Sequence, residues 1–418
     1  MNWLTTQLEH IFKGGPAVLG RKAIIGLITA IHSVWAIPLI VFIRVMRPWW
    51  HIRMGTLIAE RSGHFVFDAA YYFTLAKQAK AKLHATFLFW FPNATANAQW
   101  ARMVRRNLTA RWWVRYLIFF NRAIPGGQLH ELPGTHGSRD VSGIIARSTS
   151  SLAFEQEEDE KARRWLRRRG WRDDEPFVGL LVRDSAYLSS HPLHASTARG
   201  HLGRHDHRDS DIATYTEAVR WLADRGYWII RMGKTAHHPL EAARSRIVDY
   251  PFMNDQDDLY DIWLAANCRF FISTGTGIDS IPTAYRQPVV YVNYIPLNHI
   301  CSYARNITVP KRLRWQHSGK ALTLREQLQH GYLGAANYEA AGIAVENLTC
   351  GEISAAVMEC EHRLTGQWQE SDASRRRQAR FWEILAASPE YHKLHGYIHP
   401  ESRAGSDWLE SMGDAFLE

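Results

Sequence analysis

Cysteine is scarce in this chain, and the few cysteines lie far apart. The four cysteines among 418 residues are Cys268, Cys301, Cys350 and Cys360. No two of them form a C-x-x-C pair, so their spacing argues against a structural zinc site and against a disulfide framework. This scarcity is typical of proteins in a reducing compartment, and we expect a cytoplasmic location.

Acidic residues are nearly absent from two stretches of the N-terminal part. Residues 1–59 carry six Lys and Arg residues against the single acid Glu9, and residues 101–122 carry six arginines and no acid. The whole chain has a formal net charge of +9. A local excess of positive charge indicates an anionic surface or anionic ligands. No recognisable nucleic-acid-binding motif accompanies the charge, so we expect no nucleic-acid partner.

Formal charge is also missing from a long apolar run near the N-terminus. The run "AIIGLITAIHSVWAIPLIVFI", residues 23–43, has 21 residues, which is enough to cross a bilayer. Basic residues and tryptophans flank it, as at a membrane interface. We therefore expect peripheral or monotopic attachment to the cytoplasmic face of the inner membrane, with a buried core helix as the alternative. Pro38 and His32 favour a broken or re-entrant helix, and we expect the rest to fold without residues 1–46.

A regular alternation begins at about Pro176. Short β-branched or aromatic runs predict strands over 177–183, 227–233, 246–250, 269–274 and 288–294, and amphipathic patterns predict helices over 211–225, 257–267 and 277–286. Strands separated by helices of this length predict a parallel, doubly wound sheet. Before this block, 84–92 is a predicted strand, whereas 111–120 is either a strand or an aromatic-basic helix.

Polar residues end each of these apolar runs. In parallel α/β sheets, ligands bind beyond the carboxyl ends of the strands. The stretch "FFISTGTGIDS" adds a loop of Gly, Ser and Thr before a helix, which suits phosphate because its backbone amides and hydroxyls can donate to an anion. We therefore predict a donor-binding set that consists of Arg183, Arg231, Lys234, Ser273, Thr274, Gly275, Thr276, Gly277, Asp279 and Asn293. Ordinary turn chemistry, or pairing of Arg231 with Asp249, is the alternative.

Five segments of the chain carry a family resemblance: "VRDSAYL" (182–188), "RDSDIATYTEAVRWLADRGYWIIRMGK" (208–234), "FFISTGTGIDSIP" (270–282), "PVVYVNYIPL" (288–297) and "LTLREQLQHGYL" (322–333). They resemble a family of bacterial glycosyltransferases found with surface-polysaccharide genes. The resemblance runs from about Ile52 to the C-terminal helices. It implies an α/β, GT-B-like fold in which two Rossmann-like domains face each other across a cleft, here with an N-terminal membrane-associated helix. Family members often show His-x-Arg-Asp, whereas this chain has Leu181 in place of the histidine.

The resemblance also implies a domain plan and a first catalytic candidate. The plan is a membrane-associated segment (1–50), an N-terminal acceptor domain (51–172), a C-terminal nucleotide-sugar domain (173–345) and helices that pack back on the N-terminal domain (346–418). The turn "ERSGHF" is similar to the Gly-His turn of the lipid II-forming GlcNAc transferase and related enzymes. By that likeness His64 acts as a general base or steadies the diphosphate. A surface or capping histidine is the alternative.

Acidic residues supply the other catalytic candidates, and no metal or other cofactor is expected. Asp209-Ser210-Asp211 has the D-x-D spacing of metal-nucleotide sites in GT-A enzymes, but helix capping explains it more simply. His201, His205, Asp206 and His207 lack a regular ligand spacing. Asp206 or Asp209 could instead approach the acceptor or the sugar. Asp184, beside Arg183, either joins them as a catalytic candidate or caps a turn.

Together these patterns predict a metal-independent glycosyltransferase. It would transfer a sugar from a nucleotide-sugar donor to a glycan or lipid-linked acceptor, in the synthesis of bacterial surface polysaccharide or glycoconjugate. Cationic side chains and loop amides would stabilise the leaving diphosphate. Two alternatives are a GT-B-fold sugar-nucleotide epimerase and a non-catalytic membrane scaffold for polysaccharide assembly.

Overall fold

The chain divides into two compact units that interleave along the sequence. The computed structural model describes residues 3–82, 85–184, 186, 206–242 and 245–418. Unit 1 comprises residues 1–57, 75–93 and 105–133, and unit 2 comprises residues 58–74, 94–104 and 134–418. The domain boundaries expected from the sequence stay a prediction.

Unit 1 contains a small parallel sheet and two helices of its own. Its strands are β1 (His51–Thr56), β2 (Ala85–Trp90) and β3 (Thr109–Ala110), paired in the order β1-β2-β3. Its helices are α1 (Trp3–Val45) and α4 (Val114–Ala123). Helices α2 (Ser62–Lys82) and α3 (Ala98–Asn107) each contribute residues to both units. Of the two interpretations of residues 111–120, the helix is confirmed by α4.

The apolar N-terminal run lies in a single long helix. Helix α1 is continuous through Pro38, whose side chain is exposed, so the predicted break is wrong. The part from Val18 to Val45 is long and apolar enough to cross a membrane by length and composition, criteria that a core helix or a signal sequence also meets. Most of this part is exposed, with Val34 at 77%. Apolar exposure on this scale marks a surface that another apolar phase or partner covers.

The C-terminal part of α1 belongs to the core of unit 1. Ile40 and Ile43 are at most 2% exposed and lie in one cluster with Ile52 of β1 and Leu117 of α4. The Arg44 guanidinium donates to the backbone carbonyl of Asn121 at 2.8 Å and to further acceptors at the end of α4. These contacts argue against the expectation that the rest of the chain folds without residues 1–46.

Unit 2 is built on a seven-stranded parallel sheet. Its strands are β4 (Phe177–Leu181), β5 (Trp228–Arg231), β6 (Ile247–Asp249), β7 (Phe271–Ser273), β8 (Val289–Tyr294), β9 (Asn306–Pro310) and β12 (Ser402–Ala404). A separate antiparallel pair consists of β10 (Arg312–Trp315) and β11 (Ile343–Glu346). Every pairing in the large sheet is parallel, so the predicted parallel α/β sheet is confirmed.

Ten α-helices accompany these strands in the described part of unit 2, besides the shares of α2 and α3. They are α5 (Gln156–Arg167), α6 (Thr216–Asp224), α7 (Asp258–Asn267), α8 (Ser280–Ala284), α9 (Leu324–Gln329), α10 (Ala335–Ala340), α11 (Cys350–Thr365), α12 (Asp372–Ala386), α13 (Tyr391–Leu394) and α14 (Ser406–Met412). Short 3₁₀ turns cover Gly127–His130 in unit 1 and Asp206–Arg208, Ile212–Tyr215, Tyr250–Phe252, Gly277–Asp279, Leu297–His299 and Asp414–Leu417 in unit 2. The C-terminal helices pack within this unit, since Val357 of α11 and Leu385 of α12 share a cluster with Val290 of β8.

The strand order creates a switch point in the large sheet. The order is β12-β9-β8-β7-β4-β5-β6, so the chain builds outward from β4 on one side and then continues from β7 on the other. The central strands are buried on both faces, which explains their nearly continuous apolar sequences. In open parallel sheets the crevice at the carboxyl ends of the two strands where the order reverses is the usual ligand position. Here those strands are β4 and β7.

Replacement of Ile40 by alanine tests the role of α1 in the core. Ile40→Ala should lower the free energy of unfolding by about 2–5 kcal/mol, because it leaves a cavity among buried side chains. The matched control on the same helix is Val34→Ala, which should change stability little because Val34 is 77% exposed. Thermal unfolding of the detergent-solubilised chain measures both. Equal effects of the two replacements would mean that this end of α1 is not core.

Candidate functional site

A cavity of about 590 Å³ lies at the switch point of the large sheet, wholly within unit 2. Its walls are the segments that follow β4, β5 and β7, namely Val182–Asp184, Met232–Ala236 and Thr276–Ile278, together with Arg61–Val66 at the start of α2. Single residues from elsewhere, such as Ser138 and Arg208, complete the wall. Its volume falls within the range of about 300–1,000 Å³ that small-molecule sites occupy.

The loop after β7 is held in shape by a buried carboxylate. Asp279 accepts hydrogen bonds from the Ser273 hydroxyl and from the Thr276 backbone amide and hydroxyl. The Thr276 and Asp279 pair forms a capping box, and Gly275 takes the left-handed conformation with φ +82°. Burial raises the pKa of Asp279 to about 6. Asp279, predicted to bind the donor, therefore lies inside the loop and organises it.

Two glycine backbones meet beside the cavity. A Cβ atom on Gly63 would lie 2.9 Å from the Gly277 Cα, and a Cβ on Gly277 would lie 2.9 Å from the Gly63 nitrogen. Any larger side chain at either position would force the segments apart. This close approach brings the start of α2, with His64, against the loop that follows β7.

Arg183 joins the two strands of the switch point. Its backbone N–H donates to the Thr274 hydroxyl oxygen at 3.1 Å, which ties the end of β4 to the loop after β7. Its side chain donates through Nε to Asp209 Oδ1 at 3.1 Å and lines the cavity. Burial raises the pKa of Asp209 even though the Arg183 guanidinium opposes this shift. Arg183 thus lies in the cavity wall in contact with Asp209, and its role in donor binding stays a prediction.

Arg208 is the residue that sequence reasoning missed. Its side chain lines the cavity, and one terminal nitrogen donates to the Gly275 carbonyl oxygen at 2.6 Å. Its Nε is buried and bonds to no described residue, and no carboxylate of the described chain lies within ion-pair distance. Burial, and then the nearby Arg183 guanidinium, lower the pKa of Arg208. Two signals in the sequence could have found it: Arg208 begins the segment 208–234 that carries the resemblance, and it directly precedes Asp209-Ser210-Asp211.

The two arginines also border a second, smaller cavity. It has a volume of about 260 Å³ and is bordered by Gly275–Gly277, and Arg139, Tyr294 and His299 also belong to its wall. Arg139 donates to the backbone carbonyls of Leu394, His299 and Ile300, so its guanidinium is occupied by the fold. Burial, followed by the charges of Arg139 and Arg208, lowers the pKa of His299 to about 4. At neutral pH the positive charge here therefore comes from the arginines alone.

Other predicted donor ligands are bound up in the fold. Arg231 borders the cavity, but it is 2% exposed and donates to the His238 carbonyl oxygen at 2.6 Å and to Asp249 at 3.2 Å. Asn293 is fully buried and bonds to Ser210 and to the backbone N–H of Leu348. The roles of Arg231 and Asn293 in donor binding stay predictions, although both side chains already have hydrogen-bond partners within the protein.

The rim residues after β4 and β5 also have protein partners. Lys234 lines the cavity and forms an ion pair with Asp258 at 2.8 Å. Asp184 lines it too, and its two carboxylate oxygens accept from the backbone amides of Ala186 and His237, both at 3.0 Å. Asp184 therefore connects the loops that follow β4 and β5. These contacts fit the alternative in which Asp184 caps a turn.

The D-x-D segment behaves as a cap. Asp211 accepts from the Ala213 amide at 2.9 Å, which confirms helix capping at this position. Asp206 is exposed. His201 and His205 lie outside the described residues. Among the residues that the structure does describe, no group of three or more His, Cys, Asp and Glu side chains could hold a metal ion.

His64 lines the cavity from the start of α2. Its Nδ1 lies 2.6 Å from the Ser138 hydroxyl oxygen, and Ser138 in turn donates to Asp68 at 2.8 Å. The histidine thus shares one cavity with Arg183 and Arg208. Its catalytic role stays a prediction, as do those of Asp184, Asp206 and Asp209.

Solved structures with a similar chain path include two glycosyltransferases and a UDP complex. A glycosyl transferase family 9 protein of Veillonella parvula is 11% identical, with a TM-score of 0.40 over 62% of this chain and 86% of that one. E. coli ADP-heptose LPS heptosyltransferase II is 11% identical, with a TM-score of 0.36 over 59% and 85%. An S. aureus MnaA–UDP structure is 10% identical, with a TM-score of 0.27 over 58% and 79%.

Similarity at these TM-scores carries no argument about activity. No protein-family model and no curated protein matches the chain. What the structure itself shows is an α/β fold with parallel sheets and a cavity at the switch point of the larger one. The case for a function therefore depends on the residues of that cavity.

Replacement of Asp279 tests its part in the loop. Its pKa in the folded chain, about 6, is above the value of about 3.9 for an unfolded aspartate. The neutral carboxyl therefore favours folding below about pH 4, and this contribution is lost as the pH rises through 6. The difference in unfolding free energy between wild type and Asp279→Asn should be larger at pH 4 than at pH 7. Denaturant unfolding at several pH values measures it, and a constant difference would exclude a buried, titrating Asp279.

Proposed function

We propose that this chain is a nucleotide-sugar-dependent glycosyltransferase that acts on a glycan or lipid-linked acceptor. The observation that carries the proposal is the pair Arg183 and Arg208, which line one cavity at the switch point beside the loop from Thr274 to Gly277. Two guanidiniums placed close together repel each other unless an anion lies between them. A diphosphate, with charge on both phosphoryl groups, suits such a pair and its fork-shaped donors.

The chemistry of sugar transfer explains why cations would be needed at this place. When the bond from the anomeric carbon to the donor phosphate breaks, negative charge develops on the departing nucleoside diphosphate. Fixed cations in a partly desolvated site stabilise that charge without rearrangement during the reaction. Arg208 fits this part because its Nε is buried without a protein partner in the described chain. Arg183 fits it because, among the residues that the structure describes, its side chain donates only through Nε, to Asp209.

The same cavity has room for the rest of the reaction. About 590 Å³ accommodates a nucleotide-sugar in part or whole, and His64 lies in its wall as a candidate base for the acceptor hydroxyl. The GT-B-like arrangement and the surface-polysaccharide acceptor belong to this proposal through the sequence resemblance. An epimerase would use a similar donor site but has no need of an apolar helix.

Charge and apolar surface support a membrane location for the proposed enzyme. Unit 1 carries fourteen Lys and Arg residues and two Glu, so its formal charge is +12, whereas the whole chain has +9. The same unit contains α1 and an open groove lined by Arg105, Arg111, Arg115 and the exposed Trp112. Basic and aromatic residues beside an apolar helix suit an anionic lipid surface. We propose the cytoplasmic face of the inner membrane.

Arg208 gives the sharpest test of donor binding. Arg208→Gln should weaken binding of the best nucleoside diphosphate by about 10- to 100-fold, since a hydrogen bond to a charged group contributes about 1.5–3 kcal/mol. Isothermal titration with a panel of nucleoside diphosphates measures the affinity. Arg220→Gln is the matched control, because Arg220 is exposed on α6 and does not line the cavity.

Two results would contradict the proposal. The first is that no nucleoside diphosphate binds the wild-type chain. The second is that Arg208→Gln and Arg220→Gln bind it equally well. Incubation of the wild type with nucleotide-sugars then separates the candidate activities: slow release of sugar indicates a transferase, epimerised donor indicates an epimerase, and binding without either indicates a scaffold.

Vesicle flotation tests the membrane proposal. The full chain should bind phosphatidylglycerol-containing vesicles more tightly than neutral phosphatidylcholine vesicles, with a difference that shrinks at high salt. The double variant Arg111→Gln and Arg115→Gln should weaken binding by roughly fivefold per arginine, since each basic residue near an anionic surface contributes about 1 kcal/mol. Arg220→Gln should have no effect. Equal binding to both vesicle types would exclude a role for the basic surface.

A further inference from the structure

The candidate base His64 is linked to a buried carboxylate through one serine. His64 and Asp68 lie four residues apart, on the same face of α2. Ser138 bridges them: its hydroxyl lies 2.6 Å from His64 Nδ1 and donates to Asp68 Oδ1 at 2.8 Å. Asp68 is 7% exposed, whereas His64 and Ser138 both line the cavity. The chain of contacts thus runs from the buried carboxylate to the cavity wall.

The proton count along this chain decides which histidine nitrogen is basic. A hydroxyl has one proton, and an ionised carboxylate can only accept. When Asp68 is ionised, the Ser138 hydroxyl donates its hydrogen bond to Asp68, so the Ser138 oxygen accepts from His64 and Nδ1 carries the hydrogen. The lone pair of the neutral ring is then on Nε2, which bonds to no residue of the described chain. This is the form that a general base for a ligand in the cavity requires.

The backbone around Ser138 is strained. His136, Gly137 and Ser138 follow one another with φ of 49°, 71° and 65°. For the two residues that are not glycine, this conformation costs on the order of 1–3 kcal/mol each, and such strain clusters at functional sites. This conformation places the Ser138 hydroxyl between His64 and Asp68.

We propose that Ser138 and Asp68 are positioning residues that hold His64 as the base of the transfer reaction. This rests on the proposed function. The acceptor O–H bond breaks and its proton goes to His64 Nε2, while the acceptor oxygen forms the bond to the anomeric carbon. The bond from that carbon to the diphosphate breaks, and its electron pair leaves with the diphosphate oxygen beside Arg183 and Arg208. Asp68 stabilises the resulting imidazolium through Ser138, and solvent then takes the proton.

Ser138→Gly is the variant of choice, because glycine adopts the positive φ without strain and so removes the hydroxyl without harm to the fold. The matched control is His136→Gly, which relaxes the neighbouring positive φ but leaves the relay intact. Nitrogen-15 NMR of histidine-labelled full-length protein, assigned with His64→Gln, reports which ring nitrogen carries the proton. We expect Nδ1–H in the wild type and in His136→Gly, and a larger share of Nε2–H in Ser138→Gly.

Kinetics supply the second readout. His64→Gln should lower kcat by about 10²–10⁴-fold, the usual contribution of a general base. Ser138→Gly should lower kcat by a smaller factor with the donor KM unchanged, and His136→Gly should leave both unchanged. An Nε2–H tautomer in the wild type, or an unchanged tautomer in Ser138→Gly, would overturn the relay. If the tautomer follows our expectation but no sugar is transferred, the proposed function fails while the relay geometry stands.

Discussion

The candidate site depends on the hydrogen bonds that the Asp279 carboxylate accepts within the loop after β7. The carboxylate accepts from Ser273 and Thr276 and so folds the chain after β7 into a loop that turns at Gly275. That loop presents the Gly275 carbonyl to Arg208 and the Thr274 hydroxyl to Arg183. It also brings Gly277 against Gly63, and with it His64. A change in this one loop would therefore displace cations and candidate base together.

Charge is divided between the two units in a way that matches their proposed tasks. Unit 1 has +12 and unit 2 has −3. The cationic site is thus a local feature of unit 2, which is acidic as a whole. Most arginines of unit 2 have protein partners. In unit 1 the positive charge has almost no acidic counterpart and accompanies the exposed apolar helix. One unit suits a single small anion, whereas the other suits an extended anionic surface.

Local patterns predicted the elements of unit 2 well and failed where long-range packing decides. The strands near 177, 227, 269 and 288 were correctly expected, because a buried parallel strand needs a continuous apolar run whatever its neighbours. Helix α1 was expected to break at Pro38, but it continues and its end packs on α4. The short strand β12 joins the sheet from beyond residue 400, and a three-residue strand has no periodic signal of its own.

By itself, the sequence determined a parallel α/β sheet, its polar edge and a Gly-Ser-Thr loop at that edge, because these follow from local periodicity and turn chemistry. Only the tertiary structure decided which side chains face the cavity. Arg231 borders the cavity but donates to Asp249, and Asn293 bonds to Leu348, whereas Arg208, which was not among the predicted donor ligands, lies near Arg183. The His64, Ser138 and Asp68 chain likewise joins segments about 70 residues apart. Such choices depend on which partner lies nearest in space, and spacing along the chain does not contain that information.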